Sequence, residues 1–280
     1  MAKLDGAYTL GGAGHFAMKL FEVGTGKRPD LARTGLSLID NTVGGLFPGT
    51  LVVVGAEQGV GKSSLVLSAL FNSPDPVGAI FLEDGPDLVG GRALAMESGV
   101  NSLDLRFSER LPPGAVKRLQ EAQERLKTRK DVFLEFALGG SMETIETRVE
   151  RMGKQGVKAC YLDYLTKIRG LSADRRSEIG TAMVRFQKSC QANGIVPIML
   201  SQLRRQNPTK DNPDPRYDEP NVGRLKESGD IEGEARVILM AWPSRDGGVN
   251  VRLAKSSFGG QGARTYYSRD DSGSLRETRK

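Results

Sequence analysis

The run Val52-Val53-Val54-Gly55-Ala56-Glu57-Gln58-Gly59-Val60-Gly61-Lys62-Ser63-Ser64 restricts what this chain can fold into more than any other stretch. A β-branched segment, readable as a buried strand, enters a glycine-punctuated loop and leaves as an apolar helix through residues 65–71. Strand, loop and helix in that order make G-x-x-x-x-G-K-[ST] a phosphate-binding loop rather than a chance match. The glycines let backbone N–H groups turn inward around a β-phosphate, and the helix N-terminus adds partial positive charge. On this reading Ala56, Glu57, Gln58, Gly59, Val60, Gly61, Lys62, Ser63 and Ser64 line a nucleotide site. Lys62 reaches the β- and γ-phosphates and the Ser63 hydroxyl ligates Mg²⁺. Ala56 stands where the pattern has its first glycine.

With 280 residues the chain can bury a large core. Hydrophobic content of 38% and charged content of 26% are those of an ordinary globular protein. No run of about eighteen apolar residues and no signal pattern is present, so a cytoplasmic protein without membrane contact is expected. Cys160, in an apolar strand, and Cys190, in a helix, read as free thiols. His15 is the only histidine, which argues against a histidine metal site or a Ser-His triad. A net charge of +6 permits nucleic-acid binding without demonstrating it.

Three regions follow. Residues 1–33 are glycine-rich with one short apolar stretch, and read as an arm or a strap that docks on another subunit. Residues 34–268 form the core, and residues 269–280 a basic tail, either solvated or touching nucleic acid. In the core, apolar strands at 79–83, 132–136, 157–164 and 195–201 alternate with helices at 86–98, 113–130, 141 onward and 177–193. Short strands at 236–242, 250–255 and 264–268 close the chain. That order predicts an α/β fold: a mostly parallel sheet with helices on both faces and an antiparallel C-terminal extension. Residues 204–221 carry four prolines and many charges, a long loop of the kind that is usually functional.

Strand ends supply the remaining candidates, because α/β sheets bind ligands at their carboxyl edge. Asp163 closes one strand and can hold Mg²⁺ through water, the Walker B role. Glu83 closes another and is placed to polarise an attacking water. Gln202, at the tip of a third, can sense a γ-phosphate and pass that to the long loop. In the run 225–232, Ser228 or Asp230 can cap a short helix whose free N–H groups suit a backbone phosphate.

Taken in order, the segments 56–63, Phe81-Leu82-Glu83, Leu162-Asp163-Tyr164-Leu165, Ser201-Gln202-Leu203-Arg204 and Leu225-Lys226-Glu227-Ser228-Gly229-Asp230-Ile231-Glu232 resemble the successive motifs of DnaB-type replicative helicases. Arg176-Ser177-Glu178-Ile179 and Lys255-Ser256-Ser257-Phe258-Gly259-Gly260-Gln261-Gly262 fit as well. The resemblance implies a RecA-like P-loop ATPase core that uses ATP and Mg²⁺ and assembles as a homohexameric ring around single-stranded DNA. Lys226, Glu227 and Gly229, together with Arg204, are the implied DNA contacts, and a primase or helicase loader the further partner. Nothing matches the family's amino-terminal domain and linker helix, so a viral or plasmid helicase, working in the host cytoplasm if viral, is the expected origin. The alternative is a related single-stranded-DNA ATPase that mediates recombination or assists replication without unwinding. The family pattern Lys-x-Arg-x-Gly has Ser257 at its arginine position, so either another base supplies the finger that reaches a neighbour's γ-phosphate or turnover is slow without a partner. Arg264 is the first candidate for that catalytic role and Arg252 the second.

Overall fold

The structure is a computed structural model that describes residues 31–163, 168, 175–210, 212–225 and 228–278, with Leu10, Gly14, Met18 and Phe21 before them. At 108, 175–177 and 228–230 only the backbone is described. The chain divides into two units, Met1–Leu31 and Ala32–Lys280. In the first, Leu10, Gly14 and Met18 are helical and exposed, and the arm or strap expected there otherwise lies outside the described residues. Every element named below belongs to the second.

A strand buried at every position must find partners for all of its backbone N–H and C=O groups. Strand β1 (Val52–Ala56) is such a strand, and it pairs in parallel with β5 (Val196–Gln202) on one side and β6 (Val237–Pro243) on the other. Beyond β5 lie β4 (Ala159–Asp163), β2 (Val77–Phe81) and β3 (Val132–Phe136), all parallel. Beyond β6 the direction alternates through β7 (Val249–Ser256), β8 (Arg264–Arg269) and β9 (Leu275–Thr278). The single nine-stranded sheet thus runs β3-β2-β4-β5-β1-β6-β7-β8-β9.

Parallel strands buried on both faces read as continuous apolar runs, and their alternate side chains feed two cores. Val52, Val54 and Ala56 of β1 face one core with Ala159 and Tyr161. On that side pack α1 (Ser37–Thr42), α2 (Lys62–Asn72) and α3 (Pro86–Ser98), through Ile39, Leu65, Leu70 and Val89. Val53 faces the other core with Cys160 and Leu162, covered by α5 (Met142–Lys154) and α6 (Arg175–Ala192) through Ile145, Met152, Met183 and Phe186. Helix α4 (Ala115–Thr128) carries its charged face to solvent and buries only Ala115 and Ala122. Both cysteines are buried and unpaired, and burial pushes their thiols up, which keeps them un-ionised. The α/β fold with a parallel sheet, two-sided helices and an antiparallel extension is as expected.

Two local expectations are corrected. Glu83 lies past the end of β2, which stops at Phe81. Residues 269–278 are not a tail: Arg269 ends β8, and β9 pairs with it from Tyr266↔Thr278 to Arg269↔Leu275. Leu275 is 1% exposed, and its N–H donates to the Ser68 hydroxyl of α2 at 3.2 Å. A lone apolar residue among charges has no periodicity to mark it, so this strand was invisible in the sequence.

Candidate active site

Parallel neighbours end on the same edge, so the sheet order places four carboxyl termini side by side. They are those of β2, β4, β5 and β1. Beyond β1 the chain turns through Gly59 and Gly61, at φ of 85° and 106°, a left-handed conformation that glycine adopts without strain. Helix α2 starts at once with Lys62, and no side chain caps its N-terminus. Its first N–H groups are therefore available to an anion. No atom beyond its chain neighbours lies within 4 Å of where a Cβ would stand at Gly59, so the loop is open on that side.

A cleft of about 420 Å³ at this edge is lined by Gln58, Gly59, Gly61, Lys62, Ser63, Ser64, Glu83, Asp84, Arg92, Asp163 and Gln202. It gathers Gln58, Gly59, Gly61, Lys62, Ser63 and Ser64 of the P-loop with Glu83, Asp163 and Gln202, whereas Ala56, Glu57 and Val60, also expected at the nucleotide site, do not line it. Lys62 Nζ donates to the carbonyls of Ala56 (3.2 Å) and Glu57 (3.1 Å). The Ser63 hydroxyl donates to Asp163 Oδ2 at 3.4 Å. Register explains the convergence: Phe81 pairs with Asp163, and Ala56 with Gln202.

Asp163 is 9% exposed, and burial raises its pKa from the ordinary carboxylate range to about 6. Lys62 and the Ser63 hydroxyl oppose that shift, while Asp84 and Glu83 add to it. Three carboxylates against Lys62 and Arg92 leave the cleft with an excess of negative charge, which a divalent cation would meet. Among the described residues no group of three or more His, Cys, Asp or Glu forms a closed metal site. Ser63 and Asp163 are thus an open pair, suited to Mg²⁺, which takes its other ligands from water and phosphate oxygens. The donor set fits.

The cleft residues Asp84 and Arg92, and Arg269 beside the P-loop, escaped sequence reasoning. Arg92, on α3, makes an ion pair with Asp84 inside the cleft. Arg269, from β8, donates to the Val60 carbonyl and lies against Gly61, where loss of water lowers its pKa. None of the three was marked by a motif, and folding rather than local pattern brings them here.

The finger candidates lie elsewhere. Arg252 and Arg264 are cross-strand partners on β7 and β8, and Glu219 of the long loop forms ion pairs with both, at 2.5 Å and 3.0 Å. Arg264 is the more exposed, 58% against 24%, and neither lines the cleft. Lys255 Nζ donates to the Glu232 carbonyl at 2.5 Å in α7 (Ser228–Glu234). Of the implied DNA contacts, Arg204 is exposed beyond β5, and Gly229 belongs to α7. Lys226 and Glu227 lie outside the described residues.

Comparison with known proteins agrees with this arrangement. The sequence model of the DnaB-like helicase C terminal domain family matches residues 32–256. A replicative DNA helicase DnaB of Helicobacter pylori (strain ATCC 700392 / 26695) is 29% identical over 217 residues, which cover 75% of this chain and 43% of that protein. One from Pasteurella multocida (strain Pm70) is 25% identical over 218 residues, covering 75% and 45%. The chain therefore spans less than half the length of these relatives. Among solved structures, a DnaB-like replicative helicase, described with its interactions with primase, superposes with a TM-score of 0.80 at 20% identity. It covers 97% of this chain and 67% of that one. A second solved structure, an ATPase domain, superposes at 0.83 and 19% identity, covering 98% and 100%. At these identities the likeness is one of fold.

Proposed function

This chain belongs to the DnaB-like helicase C terminal domain family, and from that premise we propose that it is an ATP-hydrolysing motor of DNA replication that moves on single-stranded DNA. The observation that carries the reading is the meeting of Lys62, Ser63, Glu83, Asp163 and Gln202 in one cleft at the carboxyl edge of the sheet.

Each residue then has a task set by its position. The α2 N-terminus and the P-loop amides hold the β-phosphate, and Lys62 leaves its carbonyl partners to follow the β- and γ-phosphates. Ser63 and Asp163 would hold Mg²⁺, which neutralises charge on the phosphate oxygens when bound. Glu83, exposed in the cleft, orients a water and takes its proton. Gln202 lines the same cleft at the end of β5, one residue before the chain turns toward the long loop. Arg264 completes the site of a neighbouring subunit in a homohexamer. Lys226, Glu227, Gly229 and Arg204 hold the DNA backbone, a contact that is sequence-blind and weakens with salt. A primase or loader would dock on the assembled ring.

One observation favours a second reading, a single-stranded-DNA ATPase that does not unwind. Ser257 replaces the family's arginine, and the candidate substitutes are engaged by Glu219. Steady-state ATP hydrolysis with and without an oligonucleotide, run beside unwinding of a forked duplex, separates the two. Stimulated hydrolysis with unwinding is the expected result. Stimulation without unwinding at any salt selects the second reading, and failure to bind Mg²⁺-ATP overturns both.

A further inference from the structure

The P-loop is tied to the base of the long loop by a half-buried ion pair that no motif marks. Glu57, the second residue of the P-loop, accepts a hydrogen bond from Arg224 Nη2, and the two side chains are 16% and 13% exposed. Arg224 also donates to the Arg204 carbonyl through Nε (3.3 Å) and Nη2 (3.0 Å), while the Arg204 N–H donates to the Arg224 carbonyl at 2.7 Å. An antiparallel bridge, Leu203↔Leu225, closes this stem. The stem is itself anchored on β1: the Leu203 N–H donates to the Ala56 carbonyl at 3.1 Å, and Leu225 packs on Gly55 so closely that a Cβ there would lie 2.6 Å from Leu225 Cδ2.

The stem therefore joins two things. Its inner side touches Gly55, Ala56 and Glu57, the residues that enter the P-loop. Its outer end, Leu225, leads into the segment that the proposed function assigns to DNA. Lys62 Nζ donates to the carbonyls of Ala56 and Glu57, and must leave both to reach a triphosphate. Nucleotide arrival thus removes a donor from the same residue whose carboxylate grips Arg224. A half-buried pair held by this many hydrogen bonds keeps its geometry, because either charge left alone there loses its partner with little water to replace it. A shift of Glu57 is accordingly passed to Arg224 rather than absorbed by solvent.

We propose that the Glu57–Arg224 pair is a positioning link that couples nucleotide occupancy of the P-loop to the grip on single-stranded DNA. The link rests on the function proposed above, and by reciprocity it works in both directions: triphosphate tightens DNA, and DNA tightens triphosphate to the same extent.

The test uses the full chain, a fluorescent oligo-dT and a non-hydrolysable ATP analogue with Mg²⁺. Oligonucleotide affinity is measured with and without the analogue, and analogue affinity with and without DNA. In the parent protein the analogue should tighten DNA by roughly tenfold or more, in the usual range of coupling between sites. Arg224→Gln should abolish most of that factor while keeping analogue affinity without DNA within about threefold, since only the link is removed. Glu57→Gln should also uncouple. The double variant Glu57→Met/Arg224→Met, which leaves no unpaired charge, should fold even where a single variant does not, and be no more uncoupled than either single, because the two residues act as one unit. Full coupling in folded Arg224→Gln or in the double variant overturns the link. Losses that simply add in the double variant overturn it too. A parent protein that binds neither analogue nor DNA overturns the function itself, whereas a coupled parent with equally coupled variants overturns only the link.

Discussion

Asp163 illustrates what the candidate cleft costs the fold around it. Its carboxyl group is buried and titrates near 6, against 3.8 for the free side chain, with burial the largest cause. Between those values the folded chain binds a proton that the unfolded chain does not. Stability contributed by this group therefore falls as pH rises from about 4 to about 6, and stays low above. The difference corresponds to about 3 kcal/mol at neutral pH, reckoned at about 1.4 kcal/mol for each tenfold change in proton affinity. Asp163→Asn removes it. In magnesium-free, nucleotide-free solution the stability gap between variant and parent should open from pH 4 to pH 6, as read by urea denaturation at several pH values. Parallel stability curves would show that the carboxylate is not strained by its surroundings. The same neighbours make Lys62 informative. It is the largest opposing influence on Asp163 and the expected phosphate ligand, so Lys62→Ala should abolish ATP turnover. Normal turnover in that variant would remove the P-loop from the chemistry.

At the scale of elements, the segment that departs most from its sequence reading is the C-terminal hairpin. Leu275 is buried against α2, its N–H donates to Ser68, and Arg269 one strand earlier donates to the Val60 carbonyl. Strands β8 and β9 thus brace the helix and loop that would hold phosphate. Leu275→Ala should destabilise the chain by about 2–4 kcal/mol, the usual result of emptying a buried leucine site. A loss below about 1 kcal/mol by chemical denaturation would mean that β9 is peripheral after all. The contrast with β1 explains what could be read in advance. Val52 to Val54 form an unbroken β-branched run ahead of a glycine loop, so strand, loop and helix were all legible from local pattern. Asp163 and Gln202 were legible because each ends an apolar run. The Arg92–Asp84, Arg224–Glu57 and Arg252–Glu219 pairs were not, since nothing in a charged residue's own neighbourhood names a partner brought close by folding.

At the scale of the whole molecule, sheet order decides where Arg264 can act. The cleft opens at the ends of β2, β4, β5 and β1, whereas β8 lies beyond β6 and β7 on the far side of β1. Arg264 does not line its own cleft, and it is exposed where Glu219 holds it. If it serves hydrolysis it must do so in the cleft of another copy, which makes a mixing experiment decisive. Lys62→Ala subunits keep Arg264 but lack a working P-loop, and Arg264→Ala subunits have the reverse. Each should be inactive or nearly so alone, an arginine finger being worth about 10³–10⁵ in rate. Mixed in equal amounts and allowed to exchange, about a quarter of the head-to-tail interfaces in a ring would join an intact P-loop to an intact Arg264. ATP hydrolysis in the mixture should then rise well above that of either variant. No rise in rings shown by co-purification through a tag on one variant to contain both would exclude Arg264 from acting in trans. Near-normal hydrolysis by Arg264→Ala alone would do the same and move the role to Arg252, whose guanidinium is already drawn in by the same glutamate.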